Sequence, residues 1–94
     1  MTHRYPTDED LKKIREWPIK KTDDCYKLIE FVEKIWWLPE WGIWRSKGNK
    51  IHMSTGGWSG NEEIMGAVSS NTMFWVFAFQ SHRRGGHYIF QVRR

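Results

Sequence analysis

Residues 22–38 carry the clearest periodic pattern of hydrophobic and polar positions in this chain. Six hydrophobic residues recur at intervals of three and four, which places them on one helix face: Cys25, Leu28, Ile29, Val32, Ile35 and Trp36. Thr22 and the two aspartates after it are typical of a helix start, and Pro39 is typical of the region just after a helix end. The pattern therefore predicts an amphipathic helix over residues 22–38.

Shorter signals predict two further helices. Thr7 precedes three acidic residues, which is the composition of an N-cap and a first helical turn. Pro18 ends the helix that this start predicts, near Trp17. Residues 64–68 carry apolar positions at helical spacing, and we expect that helix to end near Asn71.

After residue 40 the pattern changes to alternation, which predicts a β-hairpin of residues 41–46 and 50–54 around a turn at 47–49. Side chains alternate between the two faces of a strand. In the second strand, alternation sends two hydrophobic residues toward the core and two polar residues to the opposite face: Ile51 and Met53, and His52 and Ser54, respectively.

The C-terminal third of the chain predicts two more strands. Residues 72–80 are apolar on both alternating faces, which is typical of a central strand covered on two sides. A basic turn at residues 81–86 leads to a final strand at 87–92, which we expect to pair antiparallel with its predecessor.

These elements predict a single α+β domain over residues 1–94, in the order ααββαββ, because a chain of this length has room for one core. An N-terminal helix and connector occupy residues 1–21, and the amphipathic helix occupies 22–38. Residues 41–92 form a ββαββ unit. We expect its four-stranded, mostly antiparallel sheet to be backed by the helices.

Composition limits the cellular context and the partners. The single cysteine, Cys25, excludes an internal disulfide, and no stretch approaches the roughly 18 consecutive apolar residues of a membrane span. The first residues lack the apolar run of a signal peptide. We expect a cytoplasmic protein without a membrane partner.

Charge and aromatic residues point to binding. Residues 1–40 hold eight basic and nine acidic side chains, whereas residues 41–94 hold seven and two, so the second part carries a net charge of +5. Such a surface attracts anions. Seven tryptophans are more than a core of this size easily buries, so we expect some to line a pocket or a homo-oligomer interface.

Residues 54–61, Ser-Thr-Gly-Gly-Trp-Ser-Gly-Asn, have the composition of a ligand-binding loop before the third helix. Three glycines permit positive φ and close approach of a ligand, and amides at a helix start attract anions. Ser59 and Glu62 match a capping box. The glycines also suit plain chain reversal, and the loop lacks the lysine and spacing of known nucleotide loops. The candidate ligand-binding residues are Ser54, Thr55, Gly56, Gly57, Trp58, Ser59 and Asn61.

The turn at residues 82–87 is a second candidate. Two guanidinium groups, from Arg83 and Arg84, can clamp a phosphate, and His87 opens the next strand. If this turn lies beside residues 54–61, the two make one anion pocket. In that pocket either Trp58 or Trp44 would stack on the ligand.

Three runs of residues resemble a family of small bacteriophage proteins without a settled activity: STGGWSGNEE at 54–63, NTMFW at 71–75 and RGGHYIF at 84–90. The likeness covers about residues 36–92. It implies a viral origin and therefore the host cytoplasm. Small phage proteins often intercept host machinery or defence signals, many of which are nucleotides, and this is an analogy of origin rather than of mechanism.

Catalysis is one alternative. His52-Met53-Ser54 resembles half of the paired H-x-[ST] motif of two-histidine phosphoesterases, but His87-Tyr88-Ile89 departs from that motif at its third position. A metal-independent phosphoesterase would use His52 or His87 as acid or base, with Ser54 nearby. The histidines and the cysteine show no metal-ligand spacing, so we expect neither a metal nor a cofactor.

Two other binding functions remain open. Tryptophans interleaved with basic residues, Arg93 and Arg94 among them, suit single-stranded nucleic acid. The tryptophans at 36, 37, 41 and 44 suit an aromatic anchor for a host protein or a second copy. The preferred expectation is a phage accessory protein that binds a nucleotide-like anionic ligand and sequesters a host immune signal.

Overall fold

A four-stranded antiparallel sheet organises residues 5–92, the part of the chain that the computed structural model describes. The helices are α1 (Asp8–Arg15), α2 (Thr22–Ile35), α3 (Pro39–Gly42), α4 (Ser59–Ser70) and α5 (Thr72–Ala78). The strands are β1 (Ile43–Ser46), β2 (Lys50–Ser54), β3 (Phe79–Arg83) and β4 (His87–Gln91). The predicted α+β class and the order ααββαββ are confirmed, and α3 and α5 are additional short helices.

The start of α1 follows the predicted capping chemistry, whereas the cap predicted at Thr22 is wrong, because Lys21 is the N-cap of α2 and Thr22 is its first residue. The Thr7 hydroxyl accepts a hydrogen bond from Asp10 N at 3.0 Å, and the Asp10 carboxylate accepts one from Thr7 N at 3.1 Å. At α2, the Asp24 carboxylate accepts from Lys20 N at 2.8 Å and from Lys21 N at 3.2 Å. The hydrogen bond from Lys20 is the main cause of the lowered pKa of Asp24.

The end of α2 differs from the prediction. The helix stops at Ile35, and Trp36 takes an extended conformation while remaining 1% exposed. Leu38 adopts a left-handed conformation with φ of 53°, and Pro39 then opens α3 instead of only ending α2. A proline without a backbone N–H is suited to a first helical turn, which explains this second use of the residue.

The prediction of a central strand at residues 72–80 is wrong. Residues 72–78 form α5, which Asn71 caps by accepting a hydrogen bond from Phe74 N at 3.1 Å. The Asn71 side chain also donates to Ile14 O at 2.9 Å, which ties the cap to α1. The strand that follows, β3, begins at Phe79 and lies at the edge of the sheet. An apolar run of this length suits a packed helix as well as a buried strand.

The predicted hairpin of β1 and β2 is present, but the first strand begins at Ile43 and not at residue 41, because Trp41 and Gly42 belong to α3. Gly48 and Asn49 take positive φ in the short 3₁₀ turn between the strands. Ile51 and Met53 face the hydrophobic core, as do Phe90 of β4 and the inward side chains of α1, α2, α4 and α5. The helices therefore cover one face of the sheet.

None of the helices within residues 5–92 combines the length and the apolar character that crossing a membrane requires.

Candidate functional site

The face of the sheet opposite the core, here called the outer face, carries polar and aromatic side chains from all four strands. The register pairs Trp44 with His52, Ser54 with His87, and His87 with Arg83. Residues paired directly across antiparallel strands project from the same face. The outer face therefore presents Trp44, Ser46, His52, Ser54, Arg83 and His87 together.

Two histidines at the centre of this face form a hydrogen bond. His52 Nδ1 lies 3.1 Å from His87 Nε2, and His52 Nε2 lies 2.9 Å from Ser46 Oγ. The Trp44 ring stacks on His52 at a centroid distance of 5.0 Å and an interplanar angle of 11°, and its centroid lies 5.1 Å from that of His87. We call Trp44, Ser46, His52 and His87 the histidine cluster.

The hydrogen bonds of the histidine cluster engage three of its four ring nitrogens. Within the described part of the chain, His87 Nδ1 has no hydrogen-bond partner. If the Ser46 hydroxyl donates to His52 and His52 donates to His87, then His87 Nδ1 carries a proton and is a free donor. The reversed chain leaves a lone pair there. An anion beside His87 selects the first arrangement.

Partial burial lowers the pKa of His87, and the nearby positive charges of His52 and Arg83 lower it further. These surroundings therefore favour the neutral form of the His87 imidazole when no anion is present. A bound anion opposes the effect of these charges and favours protonation.

The structure brings the two predicted loops together. Thr55 N donates to Gly86 O at 3.0 Å, so the glycine loop and the basic turn are joined by a backbone hydrogen bond. Gly86 has a φ of +76° and packs so closely on Thr55 Oγ1 that a Cβ at this position would overlap the hydroxyl. The glycine loop and the basic turn are therefore adjacent, a question that the sequence left open.

The backbone amides of the glycine loop are partly engaged within the loop. Trp58 N donates to Thr55 O at 3.2 Å, and Gly57 N lies 3.5 Å from Thr55 Oγ1. The predicted capping box of Ser59 and Glu62 is wrong, because Trp58 is the N-cap and Ser59 is the first residue of α4. The Ser59 hydroxyl instead lies 2.9 Å from the Tyr5 hydroxyl. Gly56 and Gly57 are exposed, with φ of 63° and 77°.

Trp58 and Asn61 hold the loop in place. The centroid of the Trp58 ring lies 5.1 Å from that of Tyr5 and 5.3 Å from that of Trp37. Other aromatic rings therefore already pack against the indole that was predicted to stack on a nucleotide base. Asn61 is 1% exposed. Its carbonyl oxygen accepts from Trp37 N at 2.9 Å, and its amide donates to Trp37 O at 3.2 Å and to Thr55 O at 3.3 Å.

A pocket of about 110 Å³ opens between α3 and the glycine loop. Its walls come from Trp37, Leu38, Trp41, Gly42, Ser54, Thr55, Gly56 and Asn61. Ser54 lines this pocket and is also the strand partner of His87. The pocket and the histidine cluster are therefore neighbours on the molecule.

The basic residues divide into paired and unpaired groups. Arg45 forms a salt bridge with Glu33 at 2.6 Å. Arg83 and Arg84 are exposed and make no salt bridge with another described side chain. His82 stacks on Tyr88 at 4.1 Å and does not belong to the histidine cluster. Arg93 and Arg94, expected to contact nucleic acid, lie outside the described residues.

Sequence reasoning missed Ser46 and the pocket walls around Trp41. The alternation of β1 places Ser46 two residues after Trp44 on the same face, and that spacing was a usable signal. The pocket gave no such signal, because residues from two separate segments, 37–42 and 54–61, form it together.

No three histidine, cysteine, aspartate or glutamate side chains within residues 5–92 are grouped as metal ligands. In comparisons with protein families, curated proteins and solved structures, nothing matches this chain.

Proposed function

We propose that this chain binds a phosphate-bearing, nucleotide-like ligand on the outer face, at His87 and Arg83. The observation that carries the proposal is the hydrogen-bonded pair of His52 and His87, because His87 keeps Nδ1 without a partner among the described residues and pairs with Ser54 at the start of the glycine loop. A phosphate oxygen at this position would accept a hydrogen bond from the imidazole and from a guanidinium group.

The surrounding charge supports an anion rather than a cation. Arg83 lies directly across from His87, and Arg84 follows on the exposed turn. Neither guanidinium is neutralised by a described carboxylate. Burial is the largest cause of the lowered pKa of His87, and the charges of His52 and Arg83 add to it, so a dianionic phosphate would offset the effect of those charges.

The geometry favours retention of the ligand over its cleavage. Acid–base cleavage by two histidines needs one ring on each side of the phosphate, within hydrogen-bond reach of the reacting oxygens. His52 Nδ1 and His87 Nε2 are only 3.1 Å apart, which leaves no space for a phosphate between the two rings. For a phage protein in the host cytoplasm, sequestering a nucleotide signal is the role that agrees with retention.

Thermal unfolding tests this proposal. Purified protein is heated with inorganic phosphate and with mono-, di- and cyclic nucleotides, and the ligand released on denaturation is then analysed. We expect a rise in Tm and release of unchanged ligand. Arg83→Gln should abolish the rise, whereas the matched control Arg15→Gln, on the exposed side of α1, should keep it. The absence of a shift with every compound would refute the proposal.

A further inference from the structure

We infer that the pocket beside the glycine loop holds a planar heterocyclic ring of the same ligand, with Trp41 as the stacking surface. This inference rests on the proposed function, because it assigns the second half of a ligand whose phosphate lies at His87. Ser54 lies between the two parts, since it lines the pocket and pairs with His87. A ligand with a ring and a phosphate on one sugar has the chemistry to reach both.

The exposure of Trp41 is not explained by packing within the fold. Its side chain is 79% exposed, and its ring makes no aromatic contact with another described residue. By contrast Trp37, on the same wall, packs against Trp58. An indole that borders a pocket and lacks a packing partner offers a flat π-surface to a ligand.

The backbone around Trp41 is held in an unfavourable conformation. Leu38 has φ of 53° and ψ of 56°, a left-handed geometry that a leucine rarely adopts. The following residue begins α3, so this bend sets the direction in which the short helix carries Trp41. Strained residues of this kind concentrate at binding sites. Here the strained residue lines the pocket itself.

The pocket is built before any ligand arrives. The Asn61 side chain forms hydrogen bonds with the backbone N and O atoms of Trp37 on one wall and with Thr55 O on the other. Because this amide fixes the separation of the walls, a ring entering the pocket orders little new structure. Such preorganisation favours affinity.

The size of the pocket limits its occupant. A closed apolar cavity of about 150 Å³ holds benzene. The pocket measures about 110 Å³ and is open to solvent. It therefore admits one ring edge-first, with the remainder of the ligand directed outward past Ser54.

Two probes separate the ring from the phosphate. Cytidine 5′-monophosphate and ribose 5-phosphate share the sugar and the phosphate and differ in the ring. We expect the wild-type protein to bind the cytidine compound more tightly by calorimetry. Trp41→Ala should weaken that binding about tenfold and leave ribose 5-phosphate unchanged, as loss of one stacking contact predicts.

Two variants serve as controls. Trp41→Phe retains a ring and should keep most of the affinity for the cytidine compound. Phe77→Ala removes an exposed aromatic residue of α5, outside the pocket, and should change neither binding constant. Far-UV circular dichroism checks that each variant is folded.

The outcomes distinguish the two proposals. If both probes bind with equal affinity, or if Trp41→Ala weakens both alike, the ring assignment is wrong while the phosphate site stands. If neither probe binds, the proposed function fails and the ring assignment fails with it. Selective loss of the cytidine compound in Trp41→Ala supports the inference.

Discussion

His52 Nδ1 and His87 Nε2 lie 3.1 Å apart, although the two residues are separated by 35 positions in the chain. The contact exists because β4 pairs with β2, so the last strand inserts between β2 and β3. Ser46 extends the hydrogen-bond chain to β1. Three strands thus contribute to one polar arrangement on the face that the helices leave open.

The low pKa of His87 predicts a pH-dependent stability. Between the folded-state pKa and the ordinary value of 6.5, the unfolded chain binds more protons than the native state. The free energy of unfolding should therefore fall as the pH drops below about 6.5, and this group should contribute no change above it. Urea unfolding at about pH 7.5 and about pH 5.5 measures the difference.

Substitution identifies the group responsible. His87→Gln should reduce the loss of stability between those two pH values, because the perturbed imidazole is gone. His82→Gln replaces an exposed histidine outside the cluster and should retain the wild-type loss. Equal losses in wild type and His87→Gln would contradict this explanation.

Asn61 should be among the most sensitive polar positions. Asn61→Ala removes three hydrogen bonds made by a side chain that is 1% exposed, those to Trp37 N, Trp37 O and Thr55 O. We expect a loss of about 3 kcal/mol in the free energy of unfolding. The matched change Glu63→Ala, on the exposed side of α4, should alter stability by less than about 0.5 kcal/mol. Similar effects of the two changes would show that the amide does not hold the loop.

Gly86 and Gly85 form a matched pair in the basic turn. Both have positive φ, so alanine is strained at either position by about 1 kcal/mol. Only Gly86 packs on Thr55, and a Cβ at Gly85 would contact nothing within 4 Å. Gly86→Ala should therefore be more destabilising than Gly85→Ala by about 1–2 kcal/mol in chemical denaturation. Equal destabilisation would mean that the two loops are not closely packed.

The sequence predicted elements that have their own periodicity. The stripe of α2 and the alternation of β2 each follow from neighbouring residues, and both are confirmed. The strand prediction for residues 72–80 is wrong because the hydrophobic residues of this segment suit either period. Asn71 was the one local signal for a helix, since asparagine is a favoured N-cap.

The candidate site depended on information that no short segment contains. The alternation placed His52 and Ser54 on one face, but the strand order that brings His87 beside them is set by tertiary packing. For the same reason, the sequence of the glycine loop could not predict that the Trp58 ring packs against Tyr5 and Trp37. The pocket at Trp41 likewise requires α3. Pro39 is the first residue of this helix, although the sequence indicated only that it follows the end of α2.

Imidazole NMR with cytidine 5′-monophosphate tests the central claim, phosphate binding at the histidine cluster, most directly. We expect the ligand to shift the resonances of His52 and His87, to raise the pKa of His87, and to leave His82 unchanged. Unchanged resonances of His52 and His87 at saturating ligand, or equal shifts in His52, His82 and His87, would contradict the account.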